Sequence, residues 1–199
     1  MTQQPAAGAP VQHKRKAQLN LVAGVNGTGK TTFLLSNVVQ RSRKALVLTP
    51  DDMEWQQLPL VATPADIYNL QQPSRIVYTD GILDTIARYH FGGPLILDDA
   101  MAYLDHQTPN TMRYIYIRRR QRGVDIYLVT HGLRQIPPQA FSFASYLILF
   151  ATTENFSARR RELQPDIFDT IMRAQEEVNA AAHRDPYNHR VIAIDPQLR

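Results

Sequence analysis

The stretch that most limits what this chain can become is "GVNGTGKTT", Gly24 to Thr32, set between the apolar runs "AQLNLVA" and "FLLSNVV". A strand that turns into a helix in so short a space needs backbone angles that residues with a β-carbon resist, and Gly24, Gly27 and Gly29 supply them. The backbone N–H groups of Gly24, Val25, Asn26, Gly27, Thr28 and Gly29 can then face inward as an anion nest. The helix that follows, through Lys30, Thr31 and Thr32, adds the partial positive charge of its N-terminus. The spacing fits G-x-x-x-x-G-K-[ST], with Gly24, Gly29, Lys30 and Thr31 at the fixed positions. A bare glycine-rich turn would share the composition, but not the strand before it and the helix after it. The stretch therefore predicts a nucleotide-phosphate site. Lys30 reaches the β- and γ-phosphates of ATP, and the Thr31 hydroxyl ligates Mg²⁺.

The rest of the chain supplies the scaffold such a turn requires. Short apolar runs, "AQLNLVA", "KALVLTP", "RIVYT", "PLILDD", "VDIYLVT" and "SYLILFA", alternate with helical candidates at Lys30 to Arg41, Ile82 to His90 and Thr108 to Gln121. Runs rich in Val, Ile and Leu on both faces predict a mainly parallel sheet between helices, an α/β fold. Residues 165 to 184 read as a C-terminal helix beginning at a proline, followed by a short "RVIAID" that can add an edge strand. A length of 199 residues suits one domain, taken as 17 to 199, with residues 1 to 16 as a flexible basic tail too poor in large apolar groups to fold.

Composition excludes several chemistries. Without cysteine there is no disulfide, thiolate metal site or cysteine nucleophile, which fits a cytoplasmic setting. No apolar run reaches the length of a membrane span. The net charge of +4 permits an anionic partner, and basic residues gather at "HKRK", "RSRK", "RRRQR" and "RRR". Each cluster taken singly reads more readily as a solvated face or a helix end.

Three further features join the glycine-rich turn. "PLILDD" is a buried strand closing in two acids; Asp98 falls on the Mg²⁺ side, and Asp99 where a carboxylate can polarise an attacking water, although a lone "DD" also makes a solvated turn. A second buried strand, Val124 to Thr130, ends in His131, at the carboxyl end where open α/β sheets place ligands, so its side chain can touch the γ-phosphate or the attacking water, although a lone His also serves a purely structural role. Before that strand, Arg118, Arg119, Arg120 and Arg122 offer an arginine that could complete a neighbouring subunit's site, Arg120 first and Arg119 next. A basic helix end stabilised by the helix dipole has the same appearance.

With these residues in place, the chain resembles the FtsK/HerA superfamily of DNA-pumping P-loop ATPases, and especially its viral genome-packaging branch. The resemblance rests on "GVNGTGKT", on "LILDD" and above all on "RRRQRGVDIYLVTHGLRQIPPQAFSFASYLILF", and it spans roughly Ala17 to Phe150. It implies a RecA-like core of the additional-strand type, a homo-oligomeric ring, usually hexameric, and ATP-driven translocation of DNA, double-stranded by preference and single-stranded as an alternative. Capsid or portal proteins would be the docking partners, in the host cytoplasm or on the virion. Asp99 stands where that family usually has glutamate, and His131 where it usually has glutamine; a proline-rich loop at Ile136 to Gln139 follows the family pattern. Two other readings stay open: a small P-loop kinase, with "ARRRELQPD" as its lid, and a nucleotide-dependent regulator with little turnover, for which Asp99 is the argument.

Overall fold

Alternation along the strands sorts their side chains into two cores. Leu19, Leu21 and Ala23 point to one face and Val22 to the other; Leu46 and Leu48 oppose Val47, and Leu95 and Leu97 oppose Ile96. Both faces are therefore apolar, and both must be covered. In the computed structural model, which describes residues 16 to 104 and 109 to 198, helices cover them unequally. Val22, Val47, Ile96 and Val129 meet the helix that starts at Lys30, while Ile67, Ile86, Ile115, Phe141 and Ile171 pack on the opposite face.

The elements run β1 Leu19–Ala23, α1 Lys30–Leu34, β2 Leu46–Thr49, α2 Pro64–Tyr68, β3 Ser74–Val77, α3 Ile82–Tyr89, β4 Leu95–Leu97, α4 Pro109–Arg122, β5 Ile126–Thr130, α5 Pro138–Phe143, β6 Tyr146–Phe150, α6 Pro165–Ala182 and β7 His189–Ala193. All six expected strands form. With β7 they make one seven-stranded sheet in the order β3-β2-β4-β5-β1-β6-β7, parallel except for β7, an edge strand that runs against β6. β5 lies between β1 and β4, so the strand before the glycine-rich turn and the strand that ends in Asp98 are not neighbours. Both end at the same edge of the sheet because their registers through β5 are parallel: Ala23 faces Thr130, and Leu97 faces Leu128.

Several boundaries differ from expectation, each for a local reason. α1 passes at Leu35 into a π-helical segment, Leu35–Val39, in which Gln40 N–H bonds the Leu35 carbonyl at 2.9 Å. α2 is capped by Thr63, whose side chain and Asp66 form a reciprocal capping box. The expected proline-rich loop holds only through Pro137; Pro138 then opens α5, its fixed φ suited to a first helical turn, and Ala140 and Phe141 bury that turn. "RVIAID" does contribute the edge strand, β7. Thr108 and the basic residues His13, Lys14 and Arg15 lie outside the described residues. Among those described, no helix is long and apolar enough to cross a membrane.

Candidate nucleotide site

The turn after β1 is tied down at both flanks. Gly24 N–H bonds the Thr130 carbonyl of β5 at 3.4 Å, and Val25 N–H bonds Ala151 O, just past β6, at 2.9 Å. Gly24 is required sterically: a β-carbon there would sit 2.5 Å from Phe150 Cβ. Gly29 is required conformationally, with φ at 85°, in the left-handed region. Thr28 is buried, and its hydroxyl donates to Val25 O at 2.8 Å, bracing the loop from within.

Lys30 then points back over the turn, its Nζ donating to Gly24 O at 2.6 Å and Val25 O at 3.0 Å. Burial lowers its pKa, and the charges of Asp98, Asp99 and Glu54 oppose that shift. The ammonium therefore lies within electrostatic reach of the acids at the end of β4, although Lys30 opens the helix that follows β1.

Asp98 is 4 % exposed, and its carboxylate is held from two sides. Trp55 Nε1 donates to Oδ2 at 2.5 Å, and Asp99 N–H donates to Oδ1 at 3.2 Å; Tyr103 Oη donates to the Asp98 backbone carbonyl at 2.8 Å. Asp99 takes the left-handed conformation, φ 43°, and its side chain meets His131 Nε2 at 3.0 Å. His131 reaches it from the end of β5, its own N–H fixed by Gln135 Oε1 at 2.9 Å.

These groups share one cleft of about 580 Å³, walled by Asn26, Gly27, Gly29, Lys30, Thr31 and Thr32 on one side and by Asp98, Asp99 and His131 on the other. Gly24, Val25 and Thr28 are not on its wall and shape the loop from behind. Arg119 and Arg120 stand elsewhere. They end α4, just ahead of β5, and line a separate cavity of about 470 Å³ with Phe143, Glu162 and Asp195. That is the opposite end of a parallel sheet from the glycine-rich turn, so within one chain neither reaches the cleft. Arg119 is 6 % exposed, and its guanidinium donates to the carbonyls of Tyr116 at 2.5 Å and Phe143 at 3.1 Å; Arg120 is exposed.

Sequence reasoning missed the segment after β2. Pro50, Asp51 and Glu54 line the cleft, and Trp55, buried at φ 56°, sends its indole to Asp98. Glu54 has its pKa raised, chiefly by burial, then by a hydrogen bond with Asp98 and by repulsion from Asp98, Asp51 and Asp99. Its position at a strand's C-terminal end was the available signal. Tyr187, on the turn before β7, is a further missed wall residue, as are Val129 and Thr130 at the end of β5.

Mg²⁺ fits this donor set. The Thr31 hydroxyl and the Asp98 carboxylate are oxygen donors facing one cleft, and the crowded acids that raise Glu54 create negative charge that a divalent cation offsets. Among the described residues no group of three or more His, Cys, Asp or Glu is arranged to hold a metal, so such an ion would complete its shell with phosphate and water oxygens.

No family model matches the chain, and no curated protein does. Solved structures do. The genome packaging NTPase B204 from Sulfolobus turreted icosahedral virus 2, in complex with AMP, is similar with a TM-score of 0.69 at 15% identity, over 92% of this chain and 96% of that one. The same NTPase with ATP-gammaS gives a TM-score of 0.68 at 17% identity, over 90% and 94% of the two chains. The DNA-packaging ATPase B204 from Sulfolobus turreted icosahedral virus gives 0.63 at 13%, over 88% and 96%. The likeness identifies the fold as an α/β RecA-like P-loop NTPase core, and the extra strand β5 between β1 and β4 agrees with the additional-strand type.

Proposed function

We propose that this chain is an ATP-hydrolysing motor that moves DNA during viral genome packaging, working as a homo-oligomeric ring. The observation that carries the reading is the convergence of Lys30, Thr31, Asp98, Asp99 and His131 on one cleft from three strand ends. The packaging role draws support from the solved structures of similar fold, which are of genome-packaging NTPases.

In this reading the glycine-rich turn binds the phosphates through its backbone N–H groups, and Lys30 exchanges the carbonyls of Gly24 and Val25 for the β- and γ-phosphates. Thr31 and Asp98 would hold Mg²⁺, which neutralises charge on the phosphates when bound. Asp99 orients the attacking water and accepts its proton, and His131, 3.0 Å away, fixes the direction of that carboxylate. The shorter reach of aspartate relative to glutamate is offset in part by this fixed orientation. Arg120, exposed at the far end of the sheet, completes the site of an adjacent copy, while Arg119, bonded into its own chain, anchors the helix end that presents it.

A kinase is less well supported. The segment proposed as its lid forms a turn of 3-10 helix, Phe156–Glu162, in which Arg159 pairs with Glu162 at 2.7 Å, and Glu162 lines the cavity of Arg119 and Arg120 rather than the nucleotide cleft.

One assay tests the proposal: ATP turnover by the full chain, with no DNA, with double-stranded DNA and with single-stranded DNA. Stimulation by DNA is expected, with Lys30→Ala slower by roughly a hundred-fold or more, and Arg120→Ala binding ATP normally but losing the turnover of the assembly by about a thousand-fold. Phosphate transfer to a nucleoside acceptor, or binding without turnover, would replace the motor with the kinase or the regulator.

A further inference from the structure

Resting on this nucleotide-site reading, we propose that Tyr187 is the base-stacking residue of the cleft: its ring receives the face of the nucleobase whose phosphates the glycine-rich turn holds. Tyr187 belongs to no helix or strand, yet it lines the same cleft as Gly29, Lys30 and Thr31 while remaining 61 % exposed. An aromatic ring left that open to water, at the mouth of a cleft otherwise walled largely by glycine, hydroxyl and charged groups, has an unpartnered apolar face. A base is the part of a nucleotide that fits such a face.

The ring's seat is specific. A β-carbon on Gly29 would lie 2.5 Å from Tyr187 Cδ1 and 3.3 Å from Cε1, so the glycine at the end of the phosphate loop also makes room for the tyrosine. Base and phosphate subsites are thereby adjacent, as one bound nucleotide requires.

The turn that carries the ring is well anchored. Asp185 accepts from Tyr187 N–H at 2.9 Å through its side chain and from Asn188 N–H at 3.1 Å through its carbonyl. Two residues on, His189 stacks on Phe150 at 5.1 Å and meets Phe33 edge-on at 4.7 Å, and Phe33 follows Thr32 in α1. Arg190 pairs with Glu177 of α6 at 2.9 Å. The helix that begins at the phosphate loop and the turn that presents Tyr187 are thus clamped together by His189, which fixes the backbone carrying the ring relative to the phosphate loop before a ligand arrives. Such preorganisation favours affinity, because the backbone of the turn need not be ordered on binding.

Stacking is tolerant of base identity, since every base has a π face. Tyr187 therefore sets affinity for the nucleoside end and leaves selection among bases to other contacts.

The test is a titration of the full chain with MgATP and, separately, with magnesium tripolyphosphate, which has the phosphates and no base. Tyr187→Ala is expected to weaken ATP roughly ten-fold or more and leave tripolyphosphate unchanged, with Tyr187→Phe close to wild type for both. Equal weakening of both ligands in Tyr187→Ala would overturn the proposal, the ring then serving only to prop Gly29, and so would unchanged ATP affinity. Wild-type protein that binds neither ligand would overturn the stacking role together with the nucleotide site beneath it, whereas wild type that binds both separates the two ideas.

Discussion

His90 shows how much one side chain can carry. It closes α3, is 2 % exposed, and has its pKa lowered to about 4, first by burial and then by the positive charge of Lys44. The folded value lies below the ordinary 6.5, so between those two values the unfolded chain binds more protons. The stability that depends on a neutral His90 is therefore complete above pH 6.5 and is lost as the pH falls through about 4. The loss amounts to about 3 kcal/mol. Urea midpoints measured between pH 7 and pH 4 should fall steeply for the wild type and more gently for His90→Leu; parallel curves would contradict this. At this scale the sequence was most legible where spacing itself carries the chemistry. Gly24, Gly29, Lys30 and Thr31 follow from a fixed pattern, and Asp98 from its place at the end of an apolar strand. Glu54 had only the weak signal of lying past a strand's C-terminal end, and Trp55 and Tyr187 follow from no local pattern, because Trp55 meets Asp98 and Tyr187 meets the cleft only through tertiary packing.

The segment after β2 acts as one element although it has no regular structure. It crosses the end of β4, and its anchor is Trp55, buried in the smaller core with Val47 and Ile96 while its indole N–H serves Asp98. Trp55 and Asp99 are the non-glycine residues with positive φ among those described, and both flank the same carboxylate, so backbone strain gathers where Asp98 is positioned. Trp55→Phe keeps most of the packing and removes one donor to a buried charge. A loss of about 2 kcal/mol in denaturant stability is expected, and an unchanged midpoint would show that the indole contributes nothing to holding Asp98. Strands were read more surely than helices because each apolar run is bounded by polar or turn residues on both sides. α2 and α5 were missed although their signals were present, Thr63 with Asp66 in one and Pro138 in the other, since each is shorter than the window over which helical periodicity can be seen.

Across the whole molecule, the sheet separates two working ends. The strand ends beyond β1, β4 and β5 hold the cleft, and the helix end carrying Arg119 and Arg120 lies at the other, beside a cavity of its own. A single copy cannot bring Arg120 to its own Lys30, whereas copies arranged head to tail can bring it to a neighbour's, and this polarity is what a ring of such subunits needs. The central claim is narrower than the ring: Lys30 and Asp98, which follow two strands that do not touch, β1 and β4, serve one magnesium-bound triphosphate. The direct measurement is ATP affinity with and without Mg²⁺, in wild type and in Asp98→Asn. Mg²⁺ should tighten binding to the wild type, and the substitution should remove most of that gain while ATP alone still binds through the glycine-rich turn and Lys30. An equal gain from Mg²⁺ in both proteins would contradict the account.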